Sequence, residues 1–183
     1  HVALNVLGGL SPLGWGMLAV VIPVLYLGLA TAYAIGAVVF KWACVGRLQA
    51  GRYPIYGWTH LRWWTANAVL RFGQQTLWSP LGNGYFGSWL LRGLGASVHS
   101  TSSFSIGGVL PSISLIDADF IHLGSNTYIR RQSRLRAHFF IDGELVLAPI
   151  SLEDGAVIWN RGLAEPGAAL GAGTQLAPHS VLT

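Results

Sequence analysis

Acidic residues are absent from the first 116 positions of this chain, and charged residues of either sign make up only 10% of it. A soluble domain carries roughly a quarter, so an ordinary water-surrounded globule is excluded and a membrane protein is indicated. Cysteine occurs once, as Cys44. That rules out a disulfide within the chain, and nothing argues for a secreted, staple-held framework. No pair of histidines or cysteines has the spacing of a metal site. No glycine-rich phosphate loop follows a strand, and there is no nucleophile elbow. The chain opens at His1 without a start methionine and stops inside a repeat pattern, which reads as a piece of a longer polypeptide. Its apolar beginning lacks the basic region of a signal peptide and runs on too long for one.

What is present is apolar: 52% hydrophobic residues, eight tryptophans and a mean hydropathy of +0.49. Leu13 to Phe40 carries no charge and is longer than the roughly 20 residues that cross a bilayer. It predicts one transmembrane helix, starting near Pro12, kinked at Pro23 and bracketed by Trp15 and Trp42. Gly28, Ala32 and Gly36 form a stripe for close helix contact, or are ordinary lipid-facing composition. Six cations and no acid lie between Lys41 and Arg92. This favours anionic headgroups over nucleic acid and puts the C-terminal side in the cytoplasm. After a turn-rich hinge at 51–57, Trp58, Leu61, Trp64, Ala68 and Phe72 recur at helical spacing, with His60, Asn67, Arg71 and Gln74 on another side. They predict an amphipathic helix in the membrane interface, or one packed wholly against the protein. Trp42, Trp58, Trp63 and Trp64 are the interfacial tryptophans. A short helix from Tyr85 to Gly95 follows.

The last third keeps a six-residue rhythm. Leu152, Ile158, Ala164, Leu170 and Leu176 open successive hexapeptides, and Ala156, Gly162, Ala168, Thr174 and Ser180 are small at the fifth place. Six is the period of neither a helix nor a strand alone. It is that of a chain turning a corner after each short strand, and a Gly/Ala-rich linker would not keep aliphatics in phase. Leu94, Ser100 and Ile106 extend the rhythm upstream, as do Leu123, Ile129 and Leu135. The predicted fold class is a membrane-anchored all-β solenoid, a left-handed parallel β-helix over 94–183. A transmembrane segment (1–50) and an interfacial helical segment (51–93) precede it.

Two gaps break the phase, and loops that leave a solenoid commonly carry function. One holds Asp117, Asp119 and His122, the other His138, Asp142 and Glu144. His138 suits a general base, its tautomer set by Asp142 or Asp119; the other reading is a histidine bonded in a turn. Asp117, Asp119, Asp142 and Glu144 form an anionic mouth for a cationic substrate, or are solvated loop acids. His122 is substrate-facing or structural. Arg131 and Arg134, in the basic run from Arg130 to Arg136, attract phosphates of a pantetheine carrier or form a solvated face.

Several strings then converge: KWACVGRLQAGRYPIYGWTHLRWW, SPLG with SWLLRGLGA, DADFIHLG, RAHFF with an acid two places on, and LEDGAVIWNRGLAEPGAALGAGTQLAPHSVL. Together they resemble the carboxy-terminal membrane region of ε-poly-L-lysine synthetase-like non-ribosomal peptide synthetases. The resemblance implies tandem, hexapeptide-repeat, acyltransferase-like domains alternating with membrane helices. It implies amide formation by a free amino-acid amine on a thioester held by the 4'-phosphopantetheine of a carrier domain, with no cofactor on this chain. By motif it places His138, Asp142 and Asp119 in the chemistry. Partners would be the bilayer, sister domains of the same polypeptide, the carrier and a small amino acid. His99 stands where the family has glycine, and Asn126 and Arg131 where acids and glycine are commoner. These departures keep a silent scaffold in view beside the enzyme. A stand-alone acetyl-CoA-dependent acetyltransferase is the third reading.

Overall fold

A computed structural model of the chain describes residues 12–81, 85–106, 112–130 and 132–183. The uncharged run forms helix α1, Pro12–Cys44, with Pro23 inside it. Its stretch Gly14–Cys44 is long and apolar enough to cross a membrane. Most of its surface is bare of protein, but Ala30, Ala34, Ala37 and Lys41 are buried in one stripe, at the three- and four-residue spacing of a helix face. The stripe Gly28–Ala32–Gly36 lies elsewhere: it is exposed, with nothing near either glycine.

Helix α2, Trp58–Gln75, packs lengthwise on that buried stripe. Arg62 Nε donates to the Cys44 carbonyl, Tyr33 Oη to the Val69 carbonyl (2.9 Å) and Tyr26 Oη to the Leu77 carbonyl. The chain therefore runs antiparallel to α1, back along its C-terminal half. Trp63, Ala66, Leu70, Gly73 and Gln74 form the buried face. The other face keeps Trp58, Leu61, Trp64, Ala68 and Phe72 exposed. Helix α3, Tyr85–Gly93, returns toward the end of α1, where Trp42 Nε1 donates to the Gly93 carbonyl at 2.7 Å. The predicted hinge contains a strand, β1, Gly51–Pro54.

The remaining strands are two to four residues long. They are β2 (Ser97–Val98), β3 (Ile121–Leu123), β4 (Tyr128–Ile129), β5 (Arg134–Leu135), β6 (His138–Ile141), β7 (Glu144–Leu147), β8 (Ile150–Leu152), β9 (Val157–Ile158), β10 (Leu163–Ala164), β11 (Ala169–Leu170), β12 (Gln175–Leu176) and β13 (Val181–Leu182). Three small parallel sheets run β2-β3-β8-β11, β4-β9-β12 and β5-β10-β13. Register aligns Leu123 with Leu152 and Leu152 with Leu170; Ile129, Ile158 and Leu176 align likewise. These aliphatics are all buried, and Thr127, Ser133, Ala156 and Ala168 are buried between them. A Cβ on Gly162 would stand 2.7 Å from Ile158 Cγ2, so the fifth place is small because the turn is crowded there.

The fold class expected from the rhythm is corrected. The chain is not an all-β solenoid, and 94–183 is not a left-handed parallel β-helix. The architecture is mixed, with one long apolar helix, further helices and short strands in several small sheets, both parallel and antiparallel. A buried 3-10 helix, Leu115–Phe120, interrupts the strands. The fourth sheet, β1-β7-β6, is antiparallel and draws β1 from far upstream. A six-residue rhythm dictates where strands and turns alternate locally. It carries no information about segments that lack it, and those segments set the architecture. The upstream phasing also shifts: Val98, not Ser100, lies opposite Leu123, and Ser103 bridges to Tyr128.

Turns recur every six residues in left-handed backbone, at Gly155, Arg161, Gly167, Gly173 and His179. At one of them Asp154 accepts the Ser125 backbone N–H at 2.6 Å. That bond, with a second from the Ser125 side chain, holds its carboxyl below the usual range. A carboxylate with a depressed folded pKa stabilises the fold above its unfolded value of about 3.9, and the stabilisation fades as pH falls through the folded value. Asp154→Asn is accordingly expected to leave thermal stability less sensitive to acid below about pH 4, as a melting series from pH 2 to 6 measures. An unchanged acid limb would exclude the bond as its cause.

Candidate active site

The 3-10 helix carries two aspartates two residues apart, Asp117 and Asp119, both buried. With three residues per turn, neighbours two apart leave the helix about 240° apart. The two carboxylates therefore serve different partners. Asp119 reaches the end of α1, where both its oxygens accept from Lys41 Nζ, at 2.8 and 2.9 Å. Lys41 Nζ also donates to the Leu94 carbonyl at 2.9 Å, and Leu48 N–H donates to Asp119 at 3.1 Å. Neither side chain touches solvent appreciably. Gly95, at φ +112°, passes so close that a Cβ there would run into the Asp119 carboxylate.

Asp117 faces β6. Its Oδ2 lies 2.5 Å from His138 Nδ1. An ionised carboxylate only accepts, so the bond has Nδ1–H as its donor, and in the neutral imidazole that leaves the lone pair on Nε2. Nε2 has no protein hydrogen bond among the described residues. The Asp117 side chain is wholly buried, whereas His138 is 15% exposed. Trp63, from the buried face of α2, sets its ring edge-on to His138 at 4.9 Å between centroids. Phe140 stands 6.0 Å from both His138 and Trp63, and His60 stacks on Trp63. The result is an imidazole with one nitrogen pinned by a buried carboxylate, walled by aromatics and open on one side. Such a group takes and returns a proton.

Set against known proteins, the chain matches no family model, no curated protein and no solved structure. The site therefore rests on its own geometry.

Of the predicted catalytic residues, His138 gains a carboxylate partner, but it is Asp117, assigned to substrate binding, rather than Asp142 or Asp119. Asp142 occupies the exposed turn between β6 and β7 with Gly143, both in left-handed backbone, as two-residue hairpin turns require. Asp119 belongs to Lys41. Glu144 meets Arg52 across the antiparallel sheet at 3.5 Å, both side chains substantially exposed. The four acids thus share no mouth: two are buried apart and two lie at the end of a hairpin. His122 is exposed on β3. Trp42, Trp58 and Trp64 are exposed, but Trp63 is buried to 2% and walls the histidine instead of meeting a membrane. Arg131 lies outside the described residues; Arg134 lines an open groove with Arg136 and Arg161.

Sequence reasoning missed Lys41 as the partner of Asp119, and Trp63, His60 and Phe140 as the ring cluster at His138. One signal was available. Trp63 falls one position off the stripe Trp58–Leu61–Trp64–Ala68, which turns it about 100° toward the opposite side of α2.

Proposed function

We propose that this chain is the membrane-attached acyl-transfer part of a larger peptide synthetase. In this reading His138 acts as general base while a free amino-acid amine attacks an acyl thioester carried on the 4'-phosphopantetheine of a carrier domain. The observation that carries the reading is the Asp117–His138 pair, an imidazole in an aromatic enclosure whose Nε2 has no hydrogen bond among the described residues. As the C–N bond forms, the amine proton passes to His138 Nε2; as the C–S bond breaks, that proton passes to the departing thiolate. Asp117 stabilises the imidazolium in between without itself being protonated. The resemblance of the RAHFF segment and of the hexapeptides to the ε-poly-L-lysine synthetase-like family supports the choice of thioester and amine. A silent scaffold for sister domains is the competing outcome.

The bilayer is the partner of α1 and of the exposed apolar face of α2. Trp58, Leu61, Trp64 and Phe72 are each at least half exposed there, and Tyr85 and Trp89 are exposed on α3. Arg47, Arg52, Arg62, Arg71 and Arg92, with no acid among them in sequence, support a cytoplasmic side for the C-terminal end of α1 and the sheets. Lys41 drops out of that balance because Asp119 neutralises it.

The test is His138→Ala in the full-length synthetase, with product followed by mass spectrometry. Turnover is expected to fall by about 10²- to 10⁴-fold, the usual share of a general base. Turnover unchanged at normal expression leaves only the scaffold.

A further inference from the structure

Arg134 and Arg136 alternate with the buried Leu135 and Ala137 and are exposed, and His138 follows two residues on, at the start of β6. Arg161 joins them from the turn before β10, and with Gln132, Gly162 and Leu163 they line a groove of about 380 Å³. Among the described residues none of the three arginines has an ion pair; the acids that pair do so with Lys41, Arg52 and His138.

Two of the recurring left-handed turns border the groove, at Gln132 and Arg161. Five non-glycine residues among those described have left-handed backbone: Asn126, Gln132, Asp142, Arg161 and His179. Asn, Asp and His tolerate that conformation comparatively well. The other two, Gln132 and Arg161, do not, and they bond to each other across the groove: Arg161 Nε donates to Gln132 Oε1 at 2.8 Å. This bond holds the Arg161 fork in place while leaving its terminal amino groups for another acceptor. Three arginines without ion pairs among the described residues, and no carboxylate among the residues that line the groove, describe an anion site. Guanidinium forks match the paired oxygens of a phosphate.

We propose that Arg134, Arg136 and Arg161 form a phosphate-binding groove that seats the phosphate of the acyl donor, with the donor's arm running on toward His138. The groove stands on its own geometry; its assignment to the acyl donor rests on the reaction proposed above. Two residues of chain span at most about 7 Å, so Arg136 brings the groove to the edge of the histidine site.

The test uses the whole chain in nanodiscs of neutral phosphatidylcholine, titrated calorimetrically with 4'-phosphopantetheine, pantetheine, coenzyme A and inorganic phosphate. The phosphorylated arm is expected to bind at least tenfold more tightly than pantetheine. Arg136→Ala/Arg161→Ala is expected to erase that preference, and Arg161→Lys, which keeps charge and fold, to weaken it. Equal binding of pantetheine and its phosphate overturns the groove, as does a preference that survives the double substitution. Inorganic phosphate binding as tightly as the arm marks an adventitious anion and also overturns it. Tighter binding of coenzyme A than of the arm supports the groove with a free donor as the source. Displacement of the arm by vesicles containing phosphatidylglycerol assigns the groove to lipid headgroups and overturns the donor assignment. His138→Ala separates the two proposals. Intact arm binding with lost turnover supports both. Absent arm binding with His138-dependent turnover removes the groove alone, and intact binding with undiminished turnover removes the reaction alone.

Discussion

Replacing Asp117 with Asn is expected to lower amide formation by about 10³- to 10⁴-fold, comparable to the loss when a buried aspartate is amidated in a Ser-His-Asp triad. The reason is the tautomer. Asp117 is wholly buried and accepts from His138 Nδ1. An asparagine of the same shape can turn its amide N–H toward Nδ1, which then becomes the acceptor, and the proton moves to Nε2. The nitrogen that faces the substrate no longer takes a proton. Because Asn conserves volume, the fold should persist, as the melting temperature checks, and binding of the phosphorylated arm should not change. The loss should therefore appear in kcat rather than KM. Full turnover in folded Asp117→Asn would end the assignment of His138 as the base.

The second large effect concerns Lys41 and Asp119. Lys41→Met leaves the Asp119 carboxylate buried with only the Leu48 N–H for company, and breaking a buried pair from one side costs about 3–5 kcal/mol. Asp119→Leu strands the Lys41 ammonium in the same way. The double variant removes both charges and should recover part of that loss. It should not recover all of it, because the Leu94 carbonyl and the Leu48 N–H each lose a buried partner, at about 1–3 kcal/mol apiece. Thermal unfolding of the four proteins in detergent gives the coupling as a double-mutant cycle. Single variants as stable as the parent would show that the pair does not tie α1 to the 3-10 helix. The expected consequence of its loss is looser docking of α1 and α2, which would blur the Trp63 wall around His138 and lower turnover without touching the dyad.

How much of this was legible in the chain differs from element to element. Helix α1 was plain, because an uncharged apolar run admits few other solutions. The strands at Leu152 and beyond were plain too, since the inward aliphatic and the small turn residue repeat in step. The architecture around them was misjudged, because the rhythm was extended over segments that do not obey it. The 3-10 helix and the β6–β7 hairpin carry no six-residue signal, and the hairpin pairs with a strand from residues 51–54. His138 could be singled out as an ionisable residue in a phase break. Its carboxylate could not, since Asp142 is the nearest acid in sequence, and only the winding of the 3-10 helix turns Asp117 rather than Asp119 toward the histidine.

By itself the sequence determined the apolar helix, the turn-and-strand alternation of the last third, the charge asymmetry and the residues eligible for proton transfer. Each of these depends on local composition or short-range spacing. Tertiary structure alone decided that Lys41 leaves the pool of free cations for Asp119, that Trp63 turns inward, that Asp117 holds His138, and that Arg161 joins Arg134 and Arg136. These are contacts between residues 20 to 80 positions apart. The physical reason is that burial makes an unpaired polar group costly, and which partner is within reach depends on packing that no local pattern encodes.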